Sequence, residues 1–130
     1  EVHNAPQKGA SECESLDAAK LMVTDMRPGE YFSADEAKAV GQVSAAAQLT
    51  RQGLDSYGFA LVASGQMDLV VEAQLQWHDV AAVIPVIKAA GGRFTDWSGN
   101  ALTAAAKAPL QIIASSSERL TDETIRTLQI

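Results

Sequence analysis

The stretch that decides the fold runs from Gln76 to Gly92 and has the sequence QWHDVAAVIPVIKAAGG. The residues after Asp79 are apolar almost without a break, and a helix that is apolar on nearly every side is predicted to lie buried among other elements. Asp79 falls at the helix start, where its carboxylate can accept hydrogen bonds from orphan backbone N–H groups and suits the helix dipole. Pro85 predicts a kink, and the glycine pair that begins at Gly91 predicts a left-handed stop.

An acidic residue at a helix start is ordinarily only a cap, so the segments upstream decide whether Asp79 does more. Residues 67–73 are predicted to form a buried strand with Glu72 near its exit. Residues 58–65 predict a second apolar helix, preceded by a turn that contains Gly53 and Asp55. The order is therefore a Gly-x-Asp turn, an apolar helix, a strand carrying a glutamate and a helix that opens on an aspartate.

This order of motifs resembles the C-terminal half of the inositol monophosphatase family, a family of magnesium-dependent, lithium-sensitive sugar-phosphate phosphatases. The segments Gly53–Tyr57 and Asp79–Ala82 are most similar to the histidinol-phosphatase branch. The resemblance covers Asn4 to Ile130, because Asn4-Ala5-Pro6 is similar to the hairpin that joins the two halves in the family. It implies a phosphomonoesterase that acts on histidinol phosphate or on an inositol or sugar phosphate.

The resemblance also implies roles for particular residues. Asp79 corresponds to the family aspartate that holds the second Mg²⁺ and approaches the substrate. Glu72 corresponds to the acidic residue that binds hydroxyl or amino groups, and Gly53 and Asp55 fall in the turn that contacts the substrate beyond its phosphate. Mg²⁺ is thus the expected cofactor, Asp79 the expected metal ligand, and Gly53, Asp55, Glu72 and Asp79 the expected substrate-binding residues.

Three residues depart from the family pattern beside this expected pocket. His78 replaces the aromatic residue that usually precedes the metal aspartate, Trp77 stands one place earlier, and Gln74 stands where a glycine is common. Imidazole suits Zn or Cu better than Mg, and no second His or Cys lies at ligand spacing, so His78 is predicted to line the pocket. For Trp77, stacking on a ring-bearing substrate and packing at the strand–helix corner both remain open.

One family motif is missing from the sequence. The Asp-Pro-x-Asp-Gly-Thr loop that supplies most of the family's metal site is absent. Mg²⁺ requires near-octahedral oxygen coordination, which Asp79 alone cannot supply. We therefore expect a half-enzyme whose partner is the missing N-terminal half or another subunit, with homo-oligomerisation also expected. The alternative is a non-catalytic binding or assembly module that keeps the fold.

Length and composition favour a single domain over residues 1–130, with a polar, loose or hairpin-forming lead-in at 1–15 and the inositol-monophosphatase-like domain at 16–130. The net charge of −6 and the lack of basic clusters argue against nucleic acid as a partner. No apolar run approaches the length of a membrane span. The lone Cys13 fits a reducing compartment, so a cytoplasmic location is predicted.

The remaining pattern predicts an α/β fold, a layered mixed or mostly parallel sheet flanked by helices. Strands are predicted at 20–24, 49–51, 93–97 and 109–115, and a tight turn at 98–100. A capping box at Ser33 and Glu36 predicts a helix to about Ala47. The last helix is predicted to begin near Ser117 or Thr121. Tyr57 is expected in the core, and Asp25 in a solvated loop.

Overall fold

The structure, a computed structural model, describes residues 9–53 and 57–130. Its strands form one sheet in the order β2-β1-β3-β5-β4. β1 is parallel to β2 and β3, whereas β5 is antiparallel to β3 and β4. The sheet is therefore mixed, as predicted, with β5 running against the others. The strands are β1 (Lys20–Val23), β2 (Leu49–Gln52), β3 (Leu69–Leu75), β4 (Arg93–Thr95) and β5 (Leu110–Ser115).

After a 3-10 turn at Leu16–Ala18, the helices lie close to their predicted positions, except that two helices replace the one predicted after Asp79. Their bounds are α1 (Ala34–Ala46), α2 (Tyr57–Ala63), α3 (Trp77–Val80), α4 (Val83–Ala89) and α5 (Glu118–Leu128).

Hydrogen bonds at the helix starts explain where α1 and α5 begin. Ser33 Oγ accepts from the backbone N–H of Glu36 at 3.1 Å, and Glu36 Oε1 accepts from the N–H of Ser33 at 2.8 Å. The predicted capping box is thus confirmed. Ser117 Oγ accepts from the N–H of Leu120 at 3.1 Å, so α5 begins at the earlier of the two predicted starts.

Two apolar clusters lie on opposite faces of the sheet, because successive strand side chains point in opposite directions. In β5, Ile113 belongs to the first cluster and Ile112 to the second. The first cluster includes Val40 of α1 and Leu120 of α5. The second includes residues of α2, α3 and α4, among them Phe59. The molecule is therefore three layers deep, as expected for an α/β fold.

The predicted single Asp79 helix is broken into α3 and α4 at Ala81–Ala82, upstream of the proline. Pro85 is the third residue of α4, where its missing N–H would have had no partner within the helix. The expected burial on nearly every side was also wrong: Ile87 is fully buried, but Val86 is 52% exposed, because α4 covers the sheet with one face only. Gly91 has a φ of 92°, which confirms the left-handed stop.

The described part of the lead-in is bound to the body of the protein instead of loose. The N–H of Ala10 donates to the carbonyl of Ala90 at 2.9 Å, and Ser116 Oγ donates to the carbonyl of Cys13 at 2.8 Å. The segment Asn4-Ala5-Pro6, on which part of the family resemblance depends, lies outside the described residues. Among residues 9–53 and 57–130, no helix has the length and apolar character needed to cross a membrane.

Candidate active site

The site is built around an irregularity in β3. The pairing of β3 with β5 shifts register between Glu72, which lies opposite Ile112, and Leu75, which lies opposite Leu110. Within this bulge Gln74 has a φ of 61°, in the left-handed region that non-glycine residues rarely occupy. Bulges bend a strand and re-aim its side chains. The bulge therefore changes the direction of the backbone between Glu72 and the segment that leads to Asp79.

A cavity of about 440 Å³ lies at this point. It collects residues from the ends of β1 and β3, from the loop after β1, from α2 and from α3. Open α/β sheets commonly bind ligands outside the carboxyl ends of parallel strands, which is where β1 and β3 end. The lining residues are Thr24, Tyr31, Phe59, Glu72, Ala73, Gln74, Leu75 and Asp79.

Glu72 is one of two predicted site residues that the structure brings into this cavity. The residue is only 4% exposed, and its Oε2 accepts a hydrogen bond of 2.6 Å from Thr24 Oγ1. Burial of a carboxyl group is costly unless it is hydrogen-bonded. Thr24, the first residue after β1, therefore helps to hold Glu72 in place.

Asp79 is the second. Its Oδ2 accepts from the backbone N–H of Gln76 at 2.7 Å, so the carboxylate secures the start of α3. Its Oδ1 lies 3.5 Å from His78 Nε2, and the Asp79 side chain is 40% exposed. The capping role predicted for Asp79 is thus compatible with a carboxylate edge that still faces the cavity.

Of the other two predicted site residues, Gly53 is not in this lining. Gly53 follows β2 with a φ of 91°, and its N–H donates to the carbonyl of Val23 at 3.2 Å. Asp55 lies outside the described residues. His78 was expected to line the pocket but is absent from the lining, and its side chain is 81% exposed.

Trp77, Tyr57 and Asp25 also lie near the ends of these elements, and only Tyr57 departs from its prediction. Trp77 packs against the second apolar cluster, which matches the packing alternative. Tyr57 is 61% exposed, so its predicted burial in the core was wrong; it opens α2 on the outer side of the helix. Asp25 is hydrogen-bonded by Arg27, which lowers the pKa of that carboxyl to about 2.

Sequence reasoning missed Tyr31 and Phe59 in the lining, and a polar network behind it. Glu36 Oε1 accepts from Gln74 Nε2 at 3.1 Å, and Glu36 Oε2 accepts from Gln111 Nε2 at 2.7 Å. Burial raises the pKa of Glu36, but the hydrogen bonds from Gln111, Ser33 and Gln74 outweigh it and leave the pKa below its ordinary value. In the sequence, only the capping-box spacing marked Glu36 as structurally important, and that spacing does not reveal its hydrogen bonds to Gln74 and Gln111.

The donor set at the cavity fits part of a magnesium site. Mg²⁺ is usually held by one or two carboxylates together with waters and substrate phosphate. Asp79 offers one partly exposed carboxylate of that kind at the cavity. Among the residues that the structure describes, no group of three His, Cys, Asp or Glu side chains is placed to hold a metal ion.

Comparisons with known proteins agree with this architecture. The bifunctional phosphatase IMPL2, chloroplastic, of Arabidopsis thaliana is 30% identical over 131 residues, which are 97% of this chain and 37% of that protein. A histidinol-phosphatase of Chlorobaculum parvum is 42% identical over 60 residues, covering 46% of this chain and 23% of that protein. The solved inositol monophosphatase of Zymomonas mobilis has a TM-score of 0.88 and 26% identity over 98% of this chain.

The match covers less than half of the length of each of these relatives. This chain spans 37% of the length of IMPL2 and 48% of the solved chain from Zymomonas mobilis. On the side of this chain it is nearly complete, since the sequence model of the inositol monophosphatase family matches residues 4–130. This chain, with its mixed sheet and its cavity at the strand ends, belongs to the inositol monophosphatase family.

Proposed function

We propose that this chain forms the substrate side of a magnesium-dependent phosphomonoesterase whose other half lies outside these residues. The observation that carries the proposal is the convergence of Glu72 and Asp79 on one cavity at the ends of β1 and β3. Two carboxyl groups on a concave surface suit an alcohol with several hydrogen-bond donors, and one of them remains partly exposed to meet a cation.

In this proposal Asp79 would hold Mg²⁺, which would supply charge neutralisation to the phosphate ester. Glu72, fixed by Thr24, accepts hydrogen bonds from the hydroxyl or ammonium groups of the alcohol. Gly53 and Asp55 complete the substrate contacts, as the family resemblance implies. Phe59 and Tyr31 line the same cavity and would flank the ester.

The family relationship supports a phosphate ester as substrate and leaves two classes of alcohol. The relative from Chlorobaculum parvum is a histidinol-phosphatase, which favours an amino alcohol. The solved relative from Zymomonas mobilis is an inositol monophosphatase, which favours a polyol. An ammonium group would gain charge-assisted hydrogen bonds in an acidic cavity, so histidinol phosphate is the first substrate to test.

A single carboxylate does not make a complete magnesium site, so the proposal requires a partner. That partner is an N-terminal half carrying the Asp-Pro-x-Asp-Gly-Thr loop, in the same polypeptide or in another subunit. Homo-oligomerisation remains part of the proposal, and light scattering would measure it. If no such half exists, the alternative is a non-catalytic module that keeps the fold.

The test is phosphate release from histidinol phosphate and inositol 1-phosphate, with Mg²⁺ and then with excess chelator. We expect metal-dependent release from a protein that joins this chain to its N-terminal half, and none from the folded 130-residue chain alone. Release by the isolated chain would contradict the need for a second half. A complete protein with no phosphatase activity would favour the non-catalytic module.

A further inference from the structure

Gln74 combines two features among the polar residues of the cavity: an unusual backbone conformation and a side-chain amide hydrogen-bonded to another element. Its backbone lies in the left-handed region at φ 61°, within the β3 bulge. Its side-chain amide is fixed by Glu36, an anchor on a different element, through the 3.1 Å hydrogen bond from Nε2. The residue nevertheless lines the cavity together with Glu72 and Asp79.

The anchor determines which end of the amide is available. An ionised carboxylate only accepts hydrogen bonds, so Glu36 requires the NH₂ group of Gln74 and not its carbonyl. The hydrogen bonds from Gln111 and Ser33 keep both carboxylate oxygens of Glu36 engaged as acceptors. The carbonyl oxygen of Gln74 is therefore turned away from Glu36, and it remains for a ligand together with the second amide hydrogen.

With this orientation, acceptors outnumber donors among the polar groups of Glu72, Gln74 and Asp79: two carboxylates and one amide carbonyl against the second amide hydrogen of Gln74. A protonated amine has three donors and no acceptor, so it suits a wall of acceptors. A hydroxyl group has one donor, and its own lone pairs face the same acceptors unfavourably. The difference is largest where the acceptors are charged, as two of these are.

We propose that Gln74, oriented by Glu36, is a specificity-determining residue that favours phosphate esters of amino alcohols over esters whose alcohol lacks the amine. The inference deepens the proposed function and rests on the same cavity as the binding site of the ester. Gln74 contacts the alcohol, whereas Glu36 acts through Gln74 as a positioning residue.

The test compares two ligands that differ only in the amine: histidinol phosphate and imidazolylpropyl phosphate, the same ester without it. Isothermal titration of the protein that joins this chain to its N-terminal half, in excess chelator so that no ester is hydrolysed, gives the ratio of their two affinities. We expect the wild type to prefer the amine, and Gln74→Gly to reduce that preference about ten-fold, the order of one hydrogen bond to a charged group. Glu36→Gln, which frees the Gln74 amide, should also reduce it.

Gln111→Ala is the matched control, because it removes a hydrogen bond from the same carboxylate at a residue outside the cavity lining. A merely structural role of the network predicts the same loss in Gln111→Ala as in Gln74→Gly, and that result would overturn the inference. So would a wild type that binds neither ester or shows no preference, or an unchanged ratio in Gln74→Gly. If the protein that joins this chain to its N-terminal half binds as expected but releases no phosphate with Mg²⁺, the proposed function is refuted and this inference stands.

Discussion

Glu72 and Asp79 line one cavity, but they differ in burial and in hydrogen-bond partners, and therefore in what each can bind. Glu72 is 4% exposed and hydrogen-bonded by Thr24, an arrangement that fixes an acceptor in place. The Asp79 side chain is 40% exposed, with one oxygen committed to the N–H of Gln76, so it can still meet a cation. Their position at one pocket could be predicted from the sequence, because each residue belongs to a motif. Tyr31 and Phe59 could not, because an aromatic residue carries no local sign that it faces a cavity.

At the residue scale the backbone of Gln74 gives a prediction about stability. Replacing Gln74 by Gly or by Ala removes the hydrogen bond to Glu36 in both cases, but Gly alone accepts a φ of 61° without strain. We expect Gln74→Gly to be more stable than Gln74→Ala by about 1–2 kcal/mol, the cost of a left-handed conformation for a residue with a Cβ. Urea denaturation measures the two free energies of unfolding. Equal values, or a more stable Ala variant, would show that the bulge relaxes.

At the element scale, α1 shows how a local signal can hide a distant role. Ser33 and Glu36 predicted the start of α1 correctly, because a capping box depends on two residues three apart. The same carboxylate also joins α1 to the bulge of β3 and to Gln111 on β5. The break between α3 and α4 was missed for a related reason. Pro85, the visible local sign, lies beyond the break.

The hydrogen bonds of Glu36, which join α1 to β3 and β5, also lead to a prediction of how the free energy of unfolding changes with pH. Its pKa is below the ordinary value of 4.5 in the folded state, so the stabilisation is complete above that value and is lost as the pH falls through the folded pKa. Glu36→Gln should be less stable than the wild type at about pH 7, and the difference should shrink by about pH 3. Asp35→Asn, in the same helical turn, is the control for charge at the helix start. A difference that stays constant over this range would contradict the assignment.

At the scale of the whole molecule, the alternation of strands and helices was sufficient to predict a mixed or mostly parallel α/β sheet. The strand order β2-β1-β3-β5-β4 and the reversal of β5 depend on crossovers that leave no local pattern. The cavity also belongs to this scale, because it joins residues from Thr24 to Asp79 that come together only when β1 and β3 pair. In the proposed function, the rest of the metal site comes from another half.

The most direct test of this account is the rate of Mg²⁺-dependent phosphate release by Asp79→Asn in the protein that contains this chain and its N-terminal half. Loss of groups around a metal site typically costs about 10–100-fold, so loss of a direct ligand should cost about 100-fold or more. Asp122→Asn, at an exposed carboxylate of α5 outside the cavity lining, should retain the wild-type rate. A rate for Asp79→Asn equal to that of Asp122→Asn, at every Mg²⁺ concentration, would contradict the account.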